Sequence, residues 1–149
     1  MKKTNKGFSL VELIIVIAIM AILAGALAPA LIKYINKSRA SAAISNAQQI
    51  ATSVQAALSN VSVYDQASDV SLTAYSSWND AVASEVQRTV GKTRKHKAKK
   101  DLKGSPVDQE YYVELHLAPG SGQEMLKVWA GDSDDSHLVY PTIGDNWVD

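Results

Sequence analysis

A single carboxylate stands in an otherwise uncharged apolar segment near the start of the chain. Glu12 is the only ionisable side chain between Lys6 and Lys33. A carboxylate in hydrocarbon is costly, so it either stays protonated or meets a cation. Cutting the chain after Gly7 would create an α-amino cation on Phe8, four positions before Glu12 and on the same face of a helix. A cut at that bond, if it occurs, would therefore give Glu12 a cationic partner.

A second candidate site is the run of basic residues KTRKHKAKKDLK, residues 92 to 103. Closely spaced cations attract polyanions and release their counterions, so the run could bind DNA, an anionic surface polymer or the acidic end of a neighbouring copy. No aromatic residue interrupts it, which argues against stacking on single-stranded bases. The alternative is a solvated loop, since most charge runs are that. The candidate residues are Lys92, Arg94, Lys95, Lys97, Lys99, Lys100 and Lys103.

The third candidate is the acidic loop GDSDDS, residues 131 to 136, which places Asp132, Asp134 and Asp135 close together. Hard cations such as Ca²⁺ take several oxygen ligands at once, and alternating acids in a loop can supply them. The full EF-hand pattern is absent, however, and the composition is typical of an ordinary polar turn. We therefore predict no metal site, with this loop as a weak candidate for calcium.

Composition excludes several function classes. The chain has 149 residues, a formal net charge of zero and no cysteine. Without cysteine there are no disulfides, thiolate metal sites or cysteine nucleophiles, and a general nucleic-acid-binding protein would carry a basic excess. His96, His116 and His137 match no zinc spacing, and no catalytic or phosphate-loop motif occurs. The sequence predicts neither an enzyme nor a cofactor.

The apolar segment that contains Glu12 is long enough to cross a membrane. Leu13 to Ile32 is 20 residues long, which at about 1.5 Å per helical residue covers roughly the 30 Å hydrocarbon core. A cleaved secretory signal peptide would have a shorter core without an acid. A plain membrane anchor also fits, but it explains Glu12 only as an acid tolerated near the headgroups. Pro29 clashes with the carbonyl of Gly25, so we expect a kink or local unwinding there.

The stretch KGFSLVEL resembles the prepilin signature of type IV pilins and of the pseudopilins of type II secretion and competence systems. The resemblance covers residues 1 to about 37, with Lys6-Gly7, Phe8, Glu12 and Pro29 in the places of the pattern. It implies cleavage after Gly7, N-methylation of Phe8 and pairing of Glu12 with the terminal amine of a neighbouring subunit. The absence of cysteine departs from many Gram-negative pilins and fits a Gram-positive source.

The resemblance implies a structural subunit of a type IV pilus. It would enter the cytoplasmic membrane as a prepilin and polymerise through its N-terminal helix into a cell-surface filament. The implied partners are other copies in a helical filament, the prepilin peptidase and methyltransferase, the inner assembly platform, membrane lipid before assembly, and DNA or surface polyanions. One alternative is a pseudopilin of a secretion or competence system. Another, of a different class, is an unprocessed membrane-anchored domain that binds polyanions through residues 92 to 103.

Hydrophobic periodicity predicts the elements that position these sites. Small apolar residues recur every three or four positions after Pro29, which predicts an amphipathic continuation of the helix. This stripe consists of Ala40, Ala43, Ala47, Ile50, Val54 and Ala57. Further on, Ser77 with Asp80 has capping-box spacing and Gly91 fits a helix end, which predicts a second helix. Strict alternation from Tyr111 onward predicts strands.

We therefore expect an α+β, pilin-like fold. A long N-terminal α-helix with a protruding apolar half would pack against a small antiparallel β-sheet. The predicted segments are a leader at 1–7, a transmembrane and filament-core helix at 8–32, its amphipathic half at 33–60 and a globular head at 61–149. Within the head we predict a helix at about 77–91, a basic loop at 92–103 and strands at about 109–118, 123–130 and 137–141.

Overall fold

The computed structural model describes residues 7–92, 95–118, 120 and 125–148. The chain divides into two compact units, Met1–Ile35 and Asn36–Asp149. Most of the predicted leader, residues 1–6, lies outside the described residues. The structure has a long, apolar N-terminal helix and a small antiparallel sheet, which confirms the predicted α+β class.

Helix α1 spans Leu10–Leu58. In the first unit, every residue from 10 to 35 belongs to this helix. In that unit its apolar side chains are exposed on every face. The backbone stays helical through Gly25 and Pro29, so the expected local unwinding is absent, while a kink at Pro29 stays a prediction. Proline removes only one backbone hydrogen bond, and the surrounding Leu, Ala and Met residues are strong helix formers.

The second unit contains the amphipathic half of α1, and the predicted stripe is buried there as expected. Ala40, Ala43, Ala47, Ile50, Val54 and Ala57 are each at most 3% exposed, and Ala51 joins them. They belong to one hydrophobic core with residues of the sheet and of the helix at Ala81–Val90. Small side chains at these positions let the core residues approach the helix backbone closely.

Four antiparallel strands form the sheet in sequential order: β1 (Val70–Ala74), β2 (Tyr111–Leu115), β3 (Leu126–Ala130) and β4 (Leu138–Tyr140). Strands β2, β3 and β4 lie within the three predicted ranges but are shorter, and residues 123 and 124 of the predicted second range lie outside the described residues. Strand β1 was not among the predicted strands. It is an edge strand with a register shift and partial burial, so its alternation is weak.

Two helices precede and follow β1 along the chain. The short α2 spans Val61–Tyr64, and α3 spans Ala81–Val90. Helix α3 begins four residues after the predicted start, because the Asp80 side chain accepts a hydrogen bond from Ala83 N at 2.6 Å. Ser77 instead ends a 3₁₀ turn. The predicted C-cap is confirmed, since Gly91 has φ of +103° and its N–H donates to Gln87.

Candidate functional site

Two hydrogen bonds of Ser9 hold the start of α1. Ser9 O accepts from Leu13 N, and Ser9 N donates to Glu12 Oε2 at 3.2 Å. Glu12 is the third residue of the helix, and an acid at that position that reaches back to the preceding amide is half of a capping box. This capping role of Glu12 was not predicted, although the sequence Ser-Leu-Val-Glu has the spacing of a capping box.

The predicted cleavage site directly precedes this turn. Gly7 and Phe8 lie before the first residue of α1 and are exposed, with Phe8 at 83%. An ideal Cβ built on Gly7 would meet nothing within 4 Å. In the described structure the peptide bond between them is therefore open to a protease. The predicted pairing of Glu12 with an amine on Phe8 concerns the processed chain and stays a prediction.

The apolar part of α1 has the length and composition of a membrane span. An 18-residue window within the helix has a mean hydropathy of 2.8, and none of that window is buried. A helix that is apolar on all faces needs surroundings that are apolar on all faces, such as lipid or other helices. Glu12 is the acid of the first helical turn, at the N-terminal edge of this apolar stretch.

The basic run folds back on itself as a hairpin that contains no regular strand among the described residues. His96 N donates to Gln109 O at 3.0 Å, and Val107 N donates to Lys99 O at 3.2 Å, so two extended segments run side by side. They meet in a turn where Asp101 accepts from Ser105 N. We call residues 95–109 the basic hairpin. Arg94 lies outside the described residues, and Lys92 is exposed just after α3.

Side chains alternate along the first arm of the basic hairpin. Lys95, Lys97 and Lys99 are exposed, whereas His96 and Ala98 between them are buried. This arm therefore has one face in the core and one face of lysines in solvent. Within the described part of the chain, Lys97, Lys99, Lys100 and Lys103 form no ion pair.

Lys95 is the lysine that ties the basic hairpin to a buried acid. Its Nζ lies 3.2 Å from Glu110 Oε2, and Glu110 also accepts a hydrogen bond from Ser76 Oγ at 3.1 Å. The Glu110 side chain is only 8% exposed. A buried carboxylate needs a partner, so Lys95 and Ser76 together hold the hairpin next to the start of β2.

His96 is a core residue of the basic hairpin. Its ring lies edge-on to Tyr111, with 5.2 Å between ring centroids, and to Trp147, with 6.3 Å between ring centroids. Burial lowers the pKa of His96 below its ordinary value, although nearby carbonyl groups and the charges of Asp108 and Glu110 act in the opposite direction. The ring is therefore neutral at neutral pH and adds no cation to the run.

The acidic loop is organised around His137. Asp134 Oδ1 accepts from His137 N at 3.0 Å and from Ser136 Oγ at 2.6 Å, and it lies 2.8 Å from His137 Nδ1. Partial burial raises the pKa of Asp134, but these hydrogen bonds and the histidine charge outweigh it, so the pKa lies below its ordinary value. The second ring nitrogen of His137 lies 3.5 Å from Asp101 Oδ2, in the turn of the basic hairpin.

This arrangement links the acidic loop, the basic hairpin and the chain end, and sequence reasoning missed it. Trp147 Nε1 donates to His137 O at 3.1 Å, and Leu102 N donates to Asn146 O at 3.1 Å. No group of three metal-ligating side chains comes together in the parts of the chain that the structure describes. All three carboxylates of the weak calcium candidate, Asp132, Asp134 and Asp135, are exposed.

Comparison with known proteins identifies the N-terminal segment. Residues 2–28 match the family described as the prokaryotic N-terminal methylation motif. This match covers Gly7, Phe8 and Glu12 and confirms the resemblance to the prepilin signature. A search of curated proteins and a search of solved structures each found no match.

Proposed function

We propose, from the prepilin signature that the chain carries, that the protein is a structural subunit of a type IV pilus. This signature is shared by type IV pilins and pseudopilins, and it is typical of structural pilin-type proteins and not of enzymes. In this proposal the subunit is inserted in the cytoplasmic membrane as a precursor, cleaved after Gly7 and methylated on Phe8. It then polymerises through α1 into a filament outside the cell. The observation that supports it best is that the motif at residues 2–28 extends into the exposed apolar part of α1.

The geometry at Glu12 suggests how processing and assembly are connected. In the described chain its carboxylate caps the first turn through Ser9 N. Cleavage would place a cation on Phe8, one residue before Ser9, and a charged partner is stronger than a neutral amide. We propose that Glu12 binds the amine of a neighbouring copy in the filament. The carboxylate would then have a partner in both states, so it is never left unpaired in apolar surroundings.

Helix α1 supplies the surface for polymerisation in this proposal. Between Leu13 and Ile32 its exposed side chains are almost all Ile, Leu, Val, Met or Ala, on every face. Before assembly, lipid would cover them; in a filament, the same helices of other copies would. An assembly platform in the membrane would be needed to move the helix from one environment to the other.

We also propose a contact role for the exposed lysines of the basic hairpin. Lys97, Lys99 and Lys100 present three cations without ion pairs in the described residues, whereas Asp132 and Asp135 of the acidic loop are exposed. Polyanions such as DNA or a surface polymer, or the acidic loop of a neighbouring copy, have the complementary charge. Replacing the three lysines with glutamine should weaken such contacts most at low salt.

Two alternatives keep specific support. A pseudopilin of a secretion or competence system would carry the same N-terminal motif, and its processing would be identical. An unprocessed, membrane-anchored domain that binds polyanions would need only the apolar helix and the lysines. Gly7→Leu separates this second alternative, because it should abolish maturation and filaments under the proposal and change nothing in an anchored domain.

The decisive experiment is the intact mass and N-terminal peptide mass of the protein purified from its own cells. The proposal expects a chain of 142 residues that starts at Phe8, since seven of the 149 residues would be removed, with a methylated amine. A chain that still starts at Met1, in cells with an active prepilin peptidase, would contradict it. Sheared surface filaments containing the mature chain would then separate a pilin from a pseudopilin.

A further inference from the structure

A pocket of about 210 Å³ lies in the second unit between α1 and the basic hairpin. Helix α1 contributes Ser38, Arg39 and Asn46 with two alanines, and the hairpin contributes Lys95, His96 and Lys97. The volume is several times the roughly 30 Å³ that one water molecule takes in the liquid. The pocket can therefore hold a polyatomic group.

The charges around this pocket favour an anion. Arg39 and Lys97 are exposed and have no acidic partner among the described residues, whereas Lys95 is partly neutralised by Glu110. The buried His96 ring is neutral at neutral pH, so it does not add to the positive charge. Two cations thus remain without a counter-charge on opposite walls, one on the helix and one on the hairpin.

The chemistry of the lining groups favours a phosphate group over a single carboxylate. A guanidinium offers a fork of parallel N–H donors that matches two phosphate oxygens, and an ammonium group binds a phosphate as a point charge. The Ser38 hydroxyl on the same wall as Arg39 can donate a further hydrogen bond. A tetrahedral group with several oxygens can meet donors on two walls at once, and a planar carboxylate has only two oxygens.

Chain length keeps this pocket near the membrane while the apolar segment is inserted. Ile32 is the last residue of the apolar run, and Arg39 follows it by seven positions. Seven residues span roughly 10 Å as a helix and at most about 25 Å fully extended, whatever the angle between the two units. The cations therefore lie within reach of the lipid headgroups, which begin where the hydrocarbon core ends.

We infer that the pocket between Arg39 and Lys97 binds the phosphate group of an anionic phospholipid while the precursor is in the membrane. This inference rests on the membrane insertion in the proposed function, and it adds a specific lipid contact in the head. Occupation of the pocket would hold the basic hairpin and α1 at the headgroup layer, and extraction of the subunit during assembly would have to break that contact.

The test is native mass spectrometry of the full-length chain in a neutral detergent, titrated with phosphatidylglycerol or with phosphatidylcholine. We expect one phosphatidylglycerol to bind at least about tenfold more tightly than phosphatidylcholine. The double variant Arg39→Gln with Lys97→Gln should lose about tenfold or more of that affinity. The matched control, Arg88→Gln with Lys127→Gln, likewise replaces one arginine and one lysine, but outside the pocket, and should bind as the natural chain does.

Three results would overturn the inference. In the first, the natural chain binds both lipids equally. In the second, both double variants lose affinity equally, which would indicate only diffuse attraction. In the third, inorganic phosphate alone binds the natural chain as tightly as phosphatidylglycerol does, which would identify a free phosphate as the ligand. The N-terminal mass of the same sample distinguishes failure of this inference from failure of the proposed function. A processed chain that does not prefer phosphatidylglycerol contradicts this inference alone. A chain that prefers phosphatidylglycerol but still starts at Met1, in cells with an active peptidase, contradicts only the proposed processing.

Discussion

The backbone N–H of Ser9 donates to the carboxylate of Glu12 at 3.2 Å, so the acid of the apolar segment has a partner within its own chain. The carboxylate satisfies an amide at the helix start that no carbonyl of the helix can reach. Glu12 therefore has two separable properties: a hydrogen-bond acceptor that caps α1, and a negative charge that the proposed function pairs with an amine.

A pair of substitutions at Glu12 separates these two properties. Gln serves as a capping-box residue as Glu does, but it carries no charge. If charge pairing drives assembly, both Glu12→Gln and Glu12→Leu should abolish filaments while the precursor still accumulates in the membrane. The measurement is the amount of mature chain in the sheared surface fraction relative to the membrane fraction. Normal filaments in the Glu12→Gln variant would show that capping alone explains the acid.

The N-cap of α3 gives a second prediction, with its own control in the sequence. Asp80 accepts from Ala83 N at 2.6 Å, whereas Ser77 is exposed in the preceding 3₁₀ turn. Replacing an Asp cap with Ala typically lowers the free energy of unfolding by about 0.5–2 kcal/mol. Asp80→Ala should therefore lower the thermal midpoint of the head, and Ser77→Ala should leave it nearly unchanged. Equal effects of the two substitutions would contradict the observed cap.

The buried His96 predicts how the stability of the head depends on pH. Burial lowers the pKa of His96 below 6.5, the ordinary value for histidine, against the opposing charges of Asp108 and Glu110. Below pH 6.5 the unfolded chain takes up a proton that the folded chain does not. Protonation therefore stabilises the unfolded state, and the free energy of unfolding falls. The loss continues until the pH reaches the lower folded pKa.

Thermal unfolding of the full chain in neutral detergent between pH 7.5 and 5, followed by tryptophan fluorescence, measures this effect. The stability of the natural chain should fall as the pH drops through this window. His96→Phe keeps an aromatic ring against Tyr111 and Trp147 but cannot take up a proton, so its stability should fall less. Identical pH profiles of the two chains would show that His96 is not the group responsible.

Where burial is one-sided and local, the sequence predicted the structure. The stripe from Ala40 to Ala57 and the alternation of Tyr111, Val113 and Leu115 follow directly from one face of a helix or strand packing on the core. The prepilin signature was also predictable, because its residues are contiguous and act before any folding of the head. These patterns needed no information about distant contacts.

The parts that sequence reasoning missed depend on contacts between distant segments. His96 and Ala98 are hidden among lysines, and only the packing of Tyr111 and Trp147 around them shows that the run has a buried face. His137 bonds Asp134 nearby but also approaches Asp101, which is 36 positions earlier in the chain. No local periodicity in the sequence encodes such a pairing. The charge of the basic hairpin could therefore be read from the sequence, but its folded shape could not.

Gly144 gives a last prediction, which concerns this same linkage of the chain end. Its N–H donates to Leu138 O at 2.7 Å, and an ideal Cβ at this position would lie 2.5 Å from Ser136 O and similarly close to Asp135 O. Backbone atoms cannot move aside as a flexible side chain can, so Gly144→Ala must shift the acidic loop. Forcing an extra group into a packed site typically costs about 1–3 kcal/mol.

The expected result is a lower thermal midpoint of the Gly144→Ala chain, together with increased exposure of Trp147, which lies 2% exposed in the folded head. The fluorescence maximum of tryptophan should shift to longer wavelength before global unfolding, because the displaced loop no longer holds the Trp147 indole through His137 O. Thr142→Ala, at an exposed position two residues away, is the matched control and should change neither property. If Gly144→Ala unfolds at the natural midpoint, the chain end does not pack against the acidic loop as closely as the structure shows.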